Sequence, residues 1–193
     1  MGEKTAEVAP LFRSRAEIRI SATPDEIYSV ISDLPRCGEW SPECQGGSWV
    51  SGEPAAVGSV FRGENLRSPD VVAWAPVVRG VWYTHAEVVA AEPGRTFRWA
   101  MRDTGGRAQD SVWAFDIAPG TSTGTSSGTD TDAGDSVLVH HFRMGSATEG
   151  IRGITAEMDE DAKRRFFAEW GEKVAADLGV TLERIKQVIE KHK

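Results

Sequence analysis

Residues 156–191 read AEMDEDAKRRFFAEWGEKVAADLGVTLERIKQVIEK. Within them Phe166, Trp170, Val174, Leu178, Leu182, Ile185 and Ile189 recur at spacings of four, four, four, four, three and four. That is one apolar stripe of a long amphipathic helix. Lys163, Arg164, Glu169, Glu172, Lys173, Asp177, Glu183, Lys186 and Glu190 fall on the other face, read as solvated. Asp159, Glu160 and Asp161 lie near the start, where acids suit the helix dipole and make no calcium loop. Gly179 costs about 1 kcal/mol relative to Ala and marks a place for a bend. Burying the large stripe residues, at roughly 1.5–3 kcal/mol each, outweighs it. So long a stripe must be covered by something, and the rest of the chain says what.

Upstream of the helix the pattern is mostly β. Ala16 to Ser21 alternates strictly, as a half-buried strand does. Thr23-Pro24-Asp25-Glu26 starts a short helix, with Thr23 as cap, Pro24 in the first turn and Glu26 three residues after the cap. It runs to about Ser32. Leu34-Pro35 breaks it, and a second short helix covers Arg36 to Trp40. Strands follow at 48–50, 58–66, 81–91, 96–102, 110–117 and 136–144, joined by turns with no helix between them. That is an antiparallel meander. The fold class is therefore α+β: seven strands, curled, around the long C-terminal helix, with the two short helices closing one end. Residues 1–14 are read as a loose arm and 15–193 as one domain. The segment 119–135, almost all Ser, Thr, Gly, Asp and Ala, is read as a flexible insertion without chemistry.

Composition narrows the partners. Of 193 residues, 22 are Lys or Arg and 29 are Asp or Glu, a net charge of −7. That surface repels phosphate backbones and anionic membranes, so no nucleic-acid partner is expected. No stretch is apolar enough to span a membrane and the N-terminus has no signal-peptide core, so the expected location is cytoplasmic. Cys37 and Cys44 are the two cysteines. They read as reduced structural thiols, a single disulfide between them being the alternative.

The element order, with Ile18 to Tyr28, resembles the helix-grip superfamily, which includes START-like lipid-transfer domains, the birch-pollen-allergen type and the polyketide cyclase/dehydrase proteins. Ser32-Asp33-Leu34-Pro35, Glu39-Trp40-Ser41-Pro42-Glu43-Cys44, Phe61-Arg62-Gly63-Glu64-Asn65 and Ala91-Glu92-Pro93-Gly94-Arg95 with Phe97-Arg98-Trp99 are similar to the actinobacterial branch of the polyketide cyclase/dehydrase-like (SRPBCC) proteins. The resemblance covers about Arg15 to Lys191 and implies an internal cavity for a hydrophobic or aromatic small molecule. It implies no single activity.

Strand alternation picks the cavity face. Phe61, Gly63 and Asn65 share a face, as do Trp82 with Thr84, Phe97 with Trp99, and Trp113 with Phe115. On the last strand His140 and Phe142 point inward and His141 outward. Trp40 from the short helices, and Phe166 and Trp170 from the long one, complete the expected lining. These aromatics either fill the core or form the walls of a site for a flat apolar ligand, oriented by Asn65, Thr84 and His140. His140 serves either as a proton partner for a ligand carbonyl or phenol or as a core histidine tied to a backbone neighbour. Asn65 either binds a ligand carbonyl or ends a strand. These two are the catalytic candidates if the protein is an enzyme. His140 and His141 face opposite ways and cannot share a metal; no metal and no cofactor are expected. Three functions follow: a hydrophobic-ligand-binding protein (lipid, isoprenoid or polyketide-like), a polyketide aromatase/cyclase, or an interaction or stress-response module with an incidental cavity. The run Val71 to Val78 around Trp74 is too apolar for a solvated loop. It is expected to act as a lid with Trp74 near the entrance and Trp40 close by, or else as a homodimer contact.

Overall fold

A computed structural model describes residues 9–120 and 134–191. Seven strands form one antiparallel sheet: β1 Phe12–Ile20, β2 Cys44–Ser51, β3 Val60–Arg67, β4 Gly80–Glu92, β5 Thr96–Arg102, β6 Ala108–Pro119 and β7 Ser136–Met144. Its order is β1-β7-β6-β5-β4-β3-β2. Strands β2 to β7 form the expected meander, and β1 adds beside β7 with Ala16 opposite His140. The sheet curls around one long helix without closing. Register shifts at Val88/Ala90 and Ala100/Arg102 fall in its long central strands, where bulges increase bend and twist. Strand β1 begins at Phe12, within the stretch read as an arm; residues 1–8 and most of the expected insertion, 121–133, lie outside the described residues.

Helix α1 (Pro24–Ile31) starts as the sequence dictates. Thr23 and Glu26 form a reciprocal cap, with the Thr23 N–H donating to Glu26 Oε2 at 2.7 Å. The second short helix is a 3₁₀ turn, Leu34–Glu39, so Leu34-Pro35 opens it rather than merely ending α1. Two corrections concern the C-terminus. The long helix, α3, spans Glu160–Glu190 and not 156–191, because the Asp159 carboxylate accepts the Ala162 N–H at 2.8 Å and fixes the start there. Before it lies a short helix, α2 (Glu149–Thr155), that the sequence reading missed. Two glycines in seven residues give α2 little helical propensity of its own. Gly179 lies inside α3, which runs on through it. Gly171 has a stricter role: a Cβ there would sit 2.7 Å from the Phe12 ring, so β1 and α3 approach too closely for a side chain.

The stripe of α3 is buried twice over. Leu182, Ile185 and Ile189 pack with Ile20, Ile27, Ile31 and Leu138 under α1. Phe166, Val174 and Leu178 pack with Phe142, Met144 and Ile151, and with Val72, Ala75 and Val77 from the 67–79 connection. The two cores close the two ends of the grip. Among the described residues no helix is long and apolar enough to cross a membrane.

Candidate functional site

A cavity of about 630 Å³ lies between the sheet and the middle of α3, which faces it with Trp170, Lys173, Val174, Asp177 and Thr181. Strand register builds the opposite wall as aligned rows. Trp99, Trp113 and Phe142 are cross-strand partners, and the last two rings lie 4.3 Å apart. Phe97, Phe115 and His140 form the next row. Gly63 pairs with Thr84 and Asn65 with Trp82, and Trp40 and Phe61 also line the space. Ten of the twelve residues picked from the sequence as ligand-binding thus face one cavity. Phe115 and Phe166 do not line it; each is fully buried, Phe115 beneath His140 and Phe166 stacked on Trp170 with ring centres 5.6 Å apart.

His140 is both tied down and in the wall. Its Nδ1 lies 3.0 Å from the Ala114 carbonyl oxygen, and its ring stacks on Phe115 at 4.0 Å and 17°. Burial pushes its pKa down to about 4, although the Ala114 contact opposes the shift. The imidazole is therefore neutral near pH 7. A carbonyl only accepts, so Nδ1 carries the proton and Nε2 keeps a bare lone pair. Asn65 Nδ2 donates to Thr84 Oγ1 at 3.1 Å and to Gly63 O at 3.4 Å. The two amide hydrogens are thereby used.

The sequence reading missed the charged part of the wall. Arg67, 6% exposed, pairs with Glu43 at 2.6 Å and donates to Val78 O at 3.1 Å. Its guanidinium lies over Trp82 at 4.3 Å and Trp170 at 5.2 Å. Glu43 also accepts from Trp82 Nε1 at 3.1 Å and binds Lys173, which in turn pairs with Asp177 at 2.6 Å. Lys173 and Asp177 therefore do not belong to the solvated face assigned to them; their side chains are only 20% and 24% exposed. The alternation that chose Phe61, Gly63 and Asn65 reaches Arg67 two residues later, so this signal was present. Cys37 and Cys44, free in the structure, line the same cavity. Cys44 Sγ lies 3.6 Å from Gly46 O, and the neighbouring Cys37 thiol lowers the Cys44 pKa, while the Cys44 thiol together with burial raises that of Cys37.

Of the apolar 67–79 connection, Val72, Ala75 and Val77 are buried within this chain, while Trp74 and Val78 stay exposed. Arg79 stitches it by donating to the carbonyls of Pro69, Val72, Ala73, Ala75 and Val77. Trp74 lies on the outer side of α3, where its indole N–H donates to Glu169 at 2.8 Å and Arg165 sits over its ring at 4.6 Å. It does not line the cavity, although Arg67 and Val78 at the ends of the segment do. Trp40 packs in the first core, edge-on to Phe115.

Residues 12–190 match the family model described as polyketide cyclase/dehydrase and lipid transport. A polyketide-cyclase-like protein from Corynebacterium glutamicum, solved by NMR, is 25% identical, with 92% of this chain and 91% of that one covered and a TM-score of 0.53. An aromatase/cyclase from Streptomyces sp. R1128 is 13% identical, with 93% and 94% covered and a TM-score of 0.57. A di-domain aromatase/cyclase from the BE-7585A biosynthetic pathway is 14% identical, with 95% and 50% covered and a TM-score of 0.56. The last two likenesses concern the fold alone. No curated protein matches.

Proposed function

The chain belongs to the polyketide cyclase/dehydrase and lipid transport family, and we propose that it is a non-catalytic binding protein for a hydrophobic or aromatic small molecule. The fold is a hydrophobic-ligand-binding one. The observation that carries the finer reading is the cavity of about 630 Å³ walled by Trp40, Phe61, Trp82, Trp99, Trp113 and Trp170. A site of that size and lining suits a flat apolar molecule held by a few polar groups. Binding is favoured over turnover by the state of those groups. His140 is neutral with its proton committed to Ala114, and Arg67 and Lys173 are each held by carboxylates. Among the described residues no second titratable side chain is hydrogen-bonded to His140. In this reading the 67–79 segment is a lid over the end of the cavity, secured by Arg79 and Trp74, and the protein works in the cytoplasm. Native mass spectrometry of protein purified from its own host tests it. A one-to-one apolar adduct supports the proposal, and a bare protein opposes it.

A second reading is a polyketide aromatase/cyclase. It is favoured by the convergence of Asn65, Thr84 and His140 on one space and by the fold shared with two aromatase/cyclases. His140→Ala separates the two: an enzyme loses turnover far more than affinity, whereas a binding protein loses only affinity.

A further inference from the structure

We propose, resting on the ligand-binding reading above, that the cavity selects an uncharged aromatic molecule carrying a ring hydroxyl, whose O–H donates to His140 Nε2. The hydrogen-bonding polarity of two side chains in the wall, His140 and Asn65, decides this. His140 Nδ1 faces Ala114 O, so Nε2 is an acceptor with nothing to give. Among the described residues Nε2 has no hydrogen bond to the protein. The stack on Phe115, at 4.0 Å, and the bond to Ala114 hold the ring against turning to offer its N–H instead. Burial keeps the imidazole uncharged down to about pH 4. Asn65 spends its amide hydrogens on Thr84 and Gly63, which leaves its Oδ1 as a second acceptor. A ligand that pairs with these two acceptors must bring the donor, whereas the Thr84 hydroxyl, which accepts from Asn65, keeps its own O–H to give.

Charge excludes the acidic alternatives. The wall holds Arg67, Arg102 and Lys173 against Glu43, Asp103, Glu149 and Asp177, three bases to four acids. Each base already lies against a carboxylate: Arg67 on Glu43 at 2.6 Å, Lys173 on Asp177 at 2.6 Å and Arg102 on Glu87 at 3.7 Å. A carboxylate or phosphate entering here would lose its water and find no free cation to replace it. Fatty acids and phospholipid headgroups therefore fit poorly. A phenol fits, since its ring can lie along the row Trp99, Trp113 and Phe142 while its hydroxyl reaches the next row at His140.

The experiment measures quenching of tryptophan fluorescence at pH 7 by 1-hydroxypyrene, 1-methoxypyrene and pyrene-1-carboxylate. In the wild-type protein the hydroxy compound should bind about tenfold more tightly than the methoxy ether, which leaves Nε2 unpaired. The carboxylate should bind more weakly than either. In His140→Phe the hydroxy and methoxy compounds should bind alike; should that variant not fold, the wild-type order decides alone. Equal affinity of the hydroxy and methoxy compounds, or tightest binding by the carboxylate, overturns the proposal and leaves the ligand-binding reading in place. No binding of any of the three to folded protein overturns both.

Discussion

Neutralising Glu43 should destabilise the protein and change the charge of the ligand it accepts. The Glu43 carboxylate lies 2.6 Å from Arg67, accepts Trp82 Nε1 at 3.1 Å and binds Lys173. In Glu43→Gln, Lys173 keeps Asp177 at 2.6 Å. Arg67 keeps only the Val78 carbonyl, whatever hydrogen bond the new amide oxygen accepts, and the faces of Trp82 and Trp170. Removing one partner of a buried pair costs about 3–5 kcal/mol. Because Gln preserves shape and one acceptor, the low end applies, about 3 kcal/mol. For a domain of this size that lowers Tm by roughly 6–12 °C. Urea unfolding at pH 7, followed by tryptophan fluorescence, reads the loss directly. The same change leaves the wall one positive charge richer, so pyrene-1-carboxylate should gain about tenfold relative to 1-hydroxypyrene. An unchanged urea midpoint together with an unchanged order of affinities would refute the account of a buried, charge-balanced cluster.

Burial of His140 predicts a pH dependence. Below pH 6.5 the unfolded chain takes a proton that the folded imidazole refuses until about pH 4, so stability is lost as pH falls through that window, by at most about 3 kcal/mol. Urea midpoints between pH 7 and 4.5 should converge for wild type and His140→Phe as pH falls; parallel curves would count against it. Cys44, whose pKa is lowered by the Cys37 thiol, should react with iodoacetamide before Cys37. Peptide mapping after brief labelling checks this, and first modification at Cys37 would contradict the opposite shifts of the two thiols. Trp74→Ala removes the bond to Glu169 and should speed release of 1-hydroxypyrene in stopped-flow measurements without altering the oligomeric state. A shift from dimer to monomer with an unchanged release rate would make the segment an interface instead of a lid.

Most of the fold was legible because its signals are local. The stripe from Phe166 to Ile189 and the alternation of each strand mark their elements in any context, and the cap Thr23–Glu26 is written in four residues. What escaped depended on distant parts of the chain. Helix α2 is a poor helix former by its own sequence, and its Ile151 is buried in the cluster that also holds Phe142 and Met144. Lys173 and Asp177 carry the mark of a solvated face, an i, i+4 ion pair. They are covered because Glu43 approaches from a segment 130 residues away in sequence. Asn65, Thr84 and His140 were found by face assignment, since pairing register carries it directly into space. Their hydrogen-bond polarity could not be read that way, because it depends on which nitrogen of His140 meets Ala114. The Trp74 segment was legible as one that must bury apolar side chains, but not that Val72, Ala75 and Val77 would join the core with α3 while Trp74 stays exposed.

The most direct test of the central claim is a crystal structure of the protein incubated with 1-hydroxypyrene. The account predicts one flat ligand between α3 and the sheet, in contact with Trp99, Trp113 and Trp170, its hydroxyl within hydrogen-bond distance of His140 Nε2. A ligand bound only on the outer surface, with the interior closed by its own side chains, would contradict it.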